Sequence, residues 1–122
     1  MKKKYDNLEL PKNFKVKLML YNQEPTFSVG VIELLNIIAE SGSLNKACKQ
    51  MSMAYSKGLR IIRKAESDLG YPLVQGKIGG VGGGGSALTD KGRAFLAFYN
   101  DMTSEIDTFA NKLMADVFTK RP

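Results

Sequence analysis

Between residues 43 and 77 lie seven basic side chains, Lys46, Lys49, Lys57, Arg60, Arg63, Lys64 and Lys77, against only two acids, Glu66 and Asp68. The whole chain of 122 residues carries a formal charge of +6, and the residues before and after this segment are close to balanced. A cationic excess focused in one stretch holds a polyanion, a nucleic acid or an anionic membrane. Nucleophilic chemistry finds little to work with. There is no histidine, so triads and most metal sites lack their usual base or ligand. The single cysteine, Cys48, rules out an internal disulfide or a multi-cysteine zinc site, and its place on an apolar helix face reads as a buried structural thiol. Asp101, Glu105 and Asp107 read as solvating charges on a long helix. No metal site and no catalytic residue is expected.

The elements that must position those cations follow from periodicity. Polar residues 1–14 read as a flexible arm. Lys15 to Tyr21 alternates, with Val16, Leu18 and Leu20 on one side, which predicts a half-buried strand. After Ser28, residues Val31, Ile32, Leu35, Ile38 and Ala39 fall on one helical stripe that Gly42 ends. Ser43 is placed to cap a second, short helix carrying Leu44, Ala47, Cys48 and Met51 inward. A tight turn at residues 50–53 leads to a third helix over about residues 54–69. It is expected to hold Tyr55, Leu59, Ile62, Ala65 and Leu69 inward and Lys57, Arg60 and Lys64 outward, and Gly70 and Pro72 close it. Apolar pairs at Leu73–Val74 and Ala87–Leu88 flank a glycine-rich stretch from Gly79 to Gly85, which predicts a hairpin with a flexible tip. Thr89 can cap a last helix from Asp90 to about Phe118, about 43 Å long if helical throughout. Its residues Phe95, Tyr99, Met102, Ile106, Phe109 and Leu113 are spaced by 4, 3, 4, 3 and 4, a heptad seam that predicts pairing between subunits. The competing reading is that this stripe simply covers the chain's own core.

Two short helices, a tight turn, outward cations and a hairpin behind them follow the order of a winged helix-turn-helix. In such a unit the second helix of the pair enters the major groove. Ala54, Tyr55, Ser56 and Lys57 would lead it toward base edges, while Arg60, Arg63 and Lys64 would reach phosphates. Asn45 and Lys46, on the helix before, flank the same face. Gly80, Gly82 and Gly85 spell GxGxxG, but a dinucleotide site needs a strand before the glycines, a helix starting on them and an acid after a second strand, and none of these is in place. Backbone at a glycine-rich tip can instead lie on a phosphate or in a minor groove.

Residues 27–99 resemble the winged-helix domain of ModE-type molybdate-responsive regulators and, more distantly, the LysR type. The features that carry this are SGS at 41–43, the AYSKG turn, and the GGVGGGG wing followed by LT and Gly92. The resemblance implies a dimer held by the long last helix, with two recognition helices on successive major grooves. It places Ser43, Ser56, Lys57, Arg60 and the wing at Lys77, Gly79 and Gly80 on DNA. Family members sense molybdate in separate β-barrel domains, for which a chain ending at Pro122 has no room. The expectation is therefore no cofactor, and either constitutive binding, another signal or a separate sensory partner protein.

The resulting expectation is an α+β, mainly α, winged helix-turn-helix with an N-terminal strand, a two-stranded wing and a long C-terminal dimerisation helix. It divides into an arm (1–14), a DNA-binding domain (15–89) and a dimerisation helix (90–122). The function expected is sequence-specific binding of double-stranded DNA by a homodimer in transcription regulation, not enzymatic and not membrane-bound, in the cytoplasm. The alternative is a protein-interaction adaptor on the same scaffold.

Overall fold

A computed structural model of the chain describes residues 4–25, 29–80 and 83–119. The elements run α1 (Val29–Ser41), α2 (Leu44–Gln50), α3 (Tyr55–Leu69), β1 (Val74–Gly80), β2 (Gly83–Leu88) and α4 (Asp90–Thr119). The core forms around α1, whose Val31, Ile32, Leu34, Leu35 and Ile38 are all buried. That stripe meets Leu44, Ala47 and Cys48 of α2, Ile62 and Ala65 of α3, Leu73 and Leu88 of the hairpin, and Leu96 and Tyr99 of α4. Ser28 lies outside the described residues. Gly42 ends α1 with φ +71° and donates its N–H to the Ile38 carbonyl at 2.8 Å. Ser43 caps α2 as the sequence predicts, its Oγ accepting the Lys46 N–H at 3.0 Å.

The turn from α2 to α3 closes with two backbone bonds, Ser52 N–H to the Lys49 carbonyl at 3.1 Å and Met53 N–H to the Cys48 carbonyl at 2.9 Å. This is a Schellman closure, and its left-handed position is held by Ser52 at φ 54° rather than by glycine. The two helices then cross at Gly58. A Cβ there would overlap the Cys48 sulfur, so only glycine lets α2 and α3 approach so closely. The same packing buries Cys48 and pushes its thiol above the usual value, as a structural role requires.

The hairpin pairs Val74 with Leu88 through Lys77 with Gly85, then shifts register before Gly80 meets Gly83. Its strands run further into the glycines than the apolar pairs indicate, because a ladder is made by backbone groups and needs no side chains. The expected flexible tip falls partly on residues 81–82, outside the described residues. At its base, β2 is fixed to the α1–α2 turn. Ser86 donates its N–H to the Gly42 carbonyl at 2.8 Å, and its Oγ accepts the Leu44 N–H at 3.3 Å. Thr89 joins wing to α4: its Oγ donates to the Pro72 carbonyl at 2.7 Å and accepts the Gly92 N–H at 2.9 Å. Gly92 sits so close to Leu73 that a Cβ would run into the Leu73 carbonyl.

The N-terminal strand expected at 15–21 does not form. The segment is extended, with a lone bridge residue at Leu20, and the one sheet of the described residues has two strands, β1 and β2. Leu18 and Leu20 pack against the core as the alternation predicts, but Val16, expected on the same side, is exposed along with Met19 and Tyr21. The backbone bonds go elsewhere: the Leu18 carbonyl accepts the Tyr99 hydroxyl at 2.6 Å. Period two reports which side chains face inward, not whether a partner strand exists.

Candidate nucleic-acid interface

Helix α3 buries Gly58, Ile62, Ala65 and Glu66 and leaves Ser56, Lys57, Arg60, Arg63 and Lys64 exposed. Tyr55, expected inward, is half exposed. It stands in the first turn, where α3 has come out of the α2–α3 turn and the core no longer reaches it. The Ala54 cap makes no side-chain hydrogen bond and no acid lies in the first turn, so no carboxylate offsets the positive end of the helix dipole. Asn45 and Lys46 are exposed on α2. Ser43 is half-buried, and its Oγ accepts the Lys46 N–H in the cap, a bond that does not use the hydroxyl hydrogen.

Both acids of the cationic segment are engaged within the fold. Asp68 accepts the backbone N–H groups of Asn22, Gln23 and Glu24 at 2.6, 2.9 and 3.1 Å. These bonds, with that of Asn22 the largest cause, hold its carboxyl below the ordinary value and pin the N-terminal segment to the end of α3. Glu66 is buried at 8% exposure. One of its oxygens accepts the N–H groups of Leu73 and Val74 at 2.7 and 3.2 Å, and the other accepts Arg63 Nη1 at 2.8 Å. Arg63, assigned from sequence to phosphates, is therefore in an ion pair within its own helix, though its side chain is 63% exposed. Lys57, Arg60 and Lys64 are left as the outward cations of this face.

Between α3 and the wing lies an open cleft of about 240 Å³. Tyr55, Leu59 and Arg63 line one side, and Val74, Gln75 and Gly76 the other. Lys77, Gly79 and Gly80 lie on β1, with Lys77 opposite Gly85 and Gly80 opposite Gly83. Sequence reasoning missed Gln75, Gly58 and Glu66. Glu66 was legible in principle, since it stands four residues after Ile62 on the inward stripe, as was Gly58, four residues before it.

The seam expected on α4 is divided. Tyr99 is buried in its own chain at 5% exposure, and burial raises its phenol above the ordinary range. It cannot also face a partner. Its neighbour Phe98 is 52% exposed and stacks at a tilt on Phe95, which in turn packs on Tyr71, each ring pair 6.4 Å apart. Lys91 lies 5.2 Å above the Tyr71 ring. Met102 and Ile106 are half-buried, while Phe109 and Leu113 are 68% and 52% exposed. The exposed apolar residues of α4 are therefore Phe98, Phe109 and Leu113, with Phe98 in the place expected for Tyr99 and Phe95, Met102 and Ile106 half-buried beside them.

This architecture is a winged helix-turn-helix. No family model matches the chain. Over 82 residues, 67% of the chain, it is 34% identical to the molybdenum transport protein ModE of Azotobacter vinelandii, covering 30% of that protein. Over 85 residues it is 32% identical to the DNA-binding transcriptional dual regulator ModE of Escherichia coli K12, covering 70% of this chain and 32% of that one. The chain thus spans about a third of the length of these relatives. The CbnR DNA-binding domain in complex with DNA shares the fold at a TM-score of 0.55 and 22% identity, covering 71% of this chain and 94% of that one. The BenM DNA-binding domain on catB site 1 DNA does so at 0.51 and 20%, covering 70% and 90%. The domain described here has the winged-helix fold, and the chain is similar in sequence to ModE over about two thirds of its own length. Among the described residues no helix is long and apolar enough to cross a membrane.

Proposed function

We propose that this chain is a sequence-specific binder of double-stranded DNA that works as a homodimer in transcription regulation. The observation that carries the reading is the outward face of α3, where Ser56, Lys57, Arg60 and Lys64 stand exposed while both nearby acids are engaged within the fold. A helix with that surface fits the major groove, with Ala54, Tyr55, Ser56 and Lys57 toward base edges and Arg60 and Lys64 toward phosphates. Asn45 and Lys46 of α2, and Lys77, Gly79 and Gly80 of the wing, extend the contact to flanking backbone. The ModE relatives, one of them named a DNA-binding transcriptional regulator, and the neighbours solved on DNA support the same reading.

A second copy covers the apolar face of α4, and two recognition helices then read a two-fold site. Contact with DNA in this scheme needs no bound cofactor and no catalytic step, and its place is the cytoplasm. Selection of bound sequences from a random duplex pool, followed by titration of the winner at two salt concentrations, tests it. A two-fold-symmetric site bound far above random DNA is the expected result. Recovery of no enriched sequence would overturn sequence-specific binding and favour an adaptor, in which the face of α4 recruits another protein.

A further inference from the structure

The DNA-facing elements of a winged helix are useful only if the angle between helix and wing is fixed, since both must meet one rigid duplex. In this chain the hairpin leaves α3 through Gly70, Tyr71 and Pro72, a connection that by itself leaves that angle free. Ser86 and Thr89 tie the base of the wing to the α1–α2 turn and to α4, and the bonds of Glu66 tie it directly to α3. The carboxylate is buried, takes both leading N–H groups of the wing on one oxygen, and holds the Arg63 guanidinium on the other.

We propose that Glu66 is a positioning residue of the interface. It clips Leu73 and Val74 to α3 and sets Arg63 at the mouth of the cleft between helix and wing, so that one cation is preset for the strand that passes there. The inference rests on the DNA-binding reading and deepens it. A buried carboxylate on a DNA-binding helix is otherwise unfavourable, because it opposes phosphate. It is tolerated here because three donors satisfy it and the Arg63 charge masks it. The cleft supports the geometry: Arg63 faces Gln75 and Gly76 across an opening of about 240 Å³. A guanidinium held in place loses little freedom on meeting a phosphate, which raises affinity without any new contact.

The chemistry of the two oxygens separates clip from arginine. Glu66→Gln keeps one oxygen for the Leu73 and Val74 amides but turns an amide N–H₂ toward Arg63, so it releases the arginine and spares the wing. Arg63→Ala removes the cation and leaves the clip. Each is expected to weaken binding to the selected duplex about tenfold, Glu66→Gln with the thermal midpoint nearly unchanged and Arg63→Ala with a lowered one because the buried carboxylate loses its counter-charge, and the double variant to bind no more weakly than either single one. A merely structural Glu66 would instead lower the midpoint in Glu66→Gln, with DNA losses that add to those of Arg63→Ala. Additive losses, or a Glu66→Gln protein that binds like the parent, overturn the inference. Amide hydrogen exchange at Leu73 and Val74 gives a readout independent of DNA. It is expected to stay slow in Glu66→Gln and to become fast in Glu66→Ala, and unchanged exchange in Glu66→Ala would remove the clip. A parent protein that binds no duplex overturns the underlying reading as well, an outcome distinct from a parent that binds while Glu66→Gln is silent.

Discussion

Helices α3 and α4 pack one face each on the same core, but what they leave outside differs in kind. The uncovered side of α3 carries Ser56, Lys57, Arg60 and Lys64; that of α4 carries Phe98, Phe109 and Leu113. Charge left in water costs nothing and attracts a polyanion over a distance set by screening. Aromatic and leucine side chains left in water in a row are unfavourable and are relieved by a partner that excludes water. In the proposed function the two faces bind by different physics, one sensitive to salt and one to apolar area, and they are joined through the wing by the Thr89–Pro72 and Gly92–Leu73 contacts.

That division can be broken one side at a time. The largest effect is expected from placing charge in the apolar row. The double variant Phe98→Asp with Phe109→Asp should weaken self-association about 100-fold or more, as the loss of central interface anchors does. Sedimentation should then report a folded monomer, and affinity for a two-fold site should fall toward that for a half-site. An unchanged dimer would place the interface elsewhere.

A change at the junction tests whether the two faces are mechanically linked. Gly92→Ala drives a methyl group into the Leu73 carbonyl, which cannot retreat without moving the wing, and should cost about 1–3 kcal/mol in thermal or denaturant unfolding. A neutral result would mean that the close contact relaxes without strain.

On the charged side, Arg60→Ala with Lys64→Ala should weaken binding to all duplexes about equally. With two phosphate contacts gone, the slope of log affinity against log salt should flatten by about 2. Loss confined to one sequence would mean that these residues read bases. The smallest effect concerns the end of α3 where the N-terminal segment is pinned. Because hydrogen bonds hold the Asp68 carboxyl below its ordinary value, the stability they supply is present above the unfolded value and is lost as pH falls through the depressed one. Asp68→Asn should thus be less stable than the parent at neutral pH, and the gap should close on acidification below about pH 4. A gap that persists in acid would show that Asp68 acts by shape alone.

Periodicity in the chain made the four helices legible nearly to the residue, because each buries a single stripe and has a clear stop or cap. Gly42, Gly70 and the caps at Ser43 and Thr89 did that work. Two kinds of residue were not legible. Tyr55 and Tyr99 carry the same apolar pattern, yet one is exposed and one buried, and only the reach of the core separates them. The alternation at 15–21 was equally real, but a strand needs a second strand, and its supply is a property of the whole fold.

The sequence alone determined where helices begin and end, where cations concentrate and that a glycine-rich hairpin follows them, since these are local consequences of spacing, side-chain entropy and charge. The tertiary structure decided which acids are removed from the cationic face, which aromatic residues of α4 are already committed to the core, and why Gly58 and Gly92 must be glycine. Those outcomes depend on contacts between elements far apart in the chain, and a hydrogen bond or a van der Waals overlap exists only once both partners have been placed.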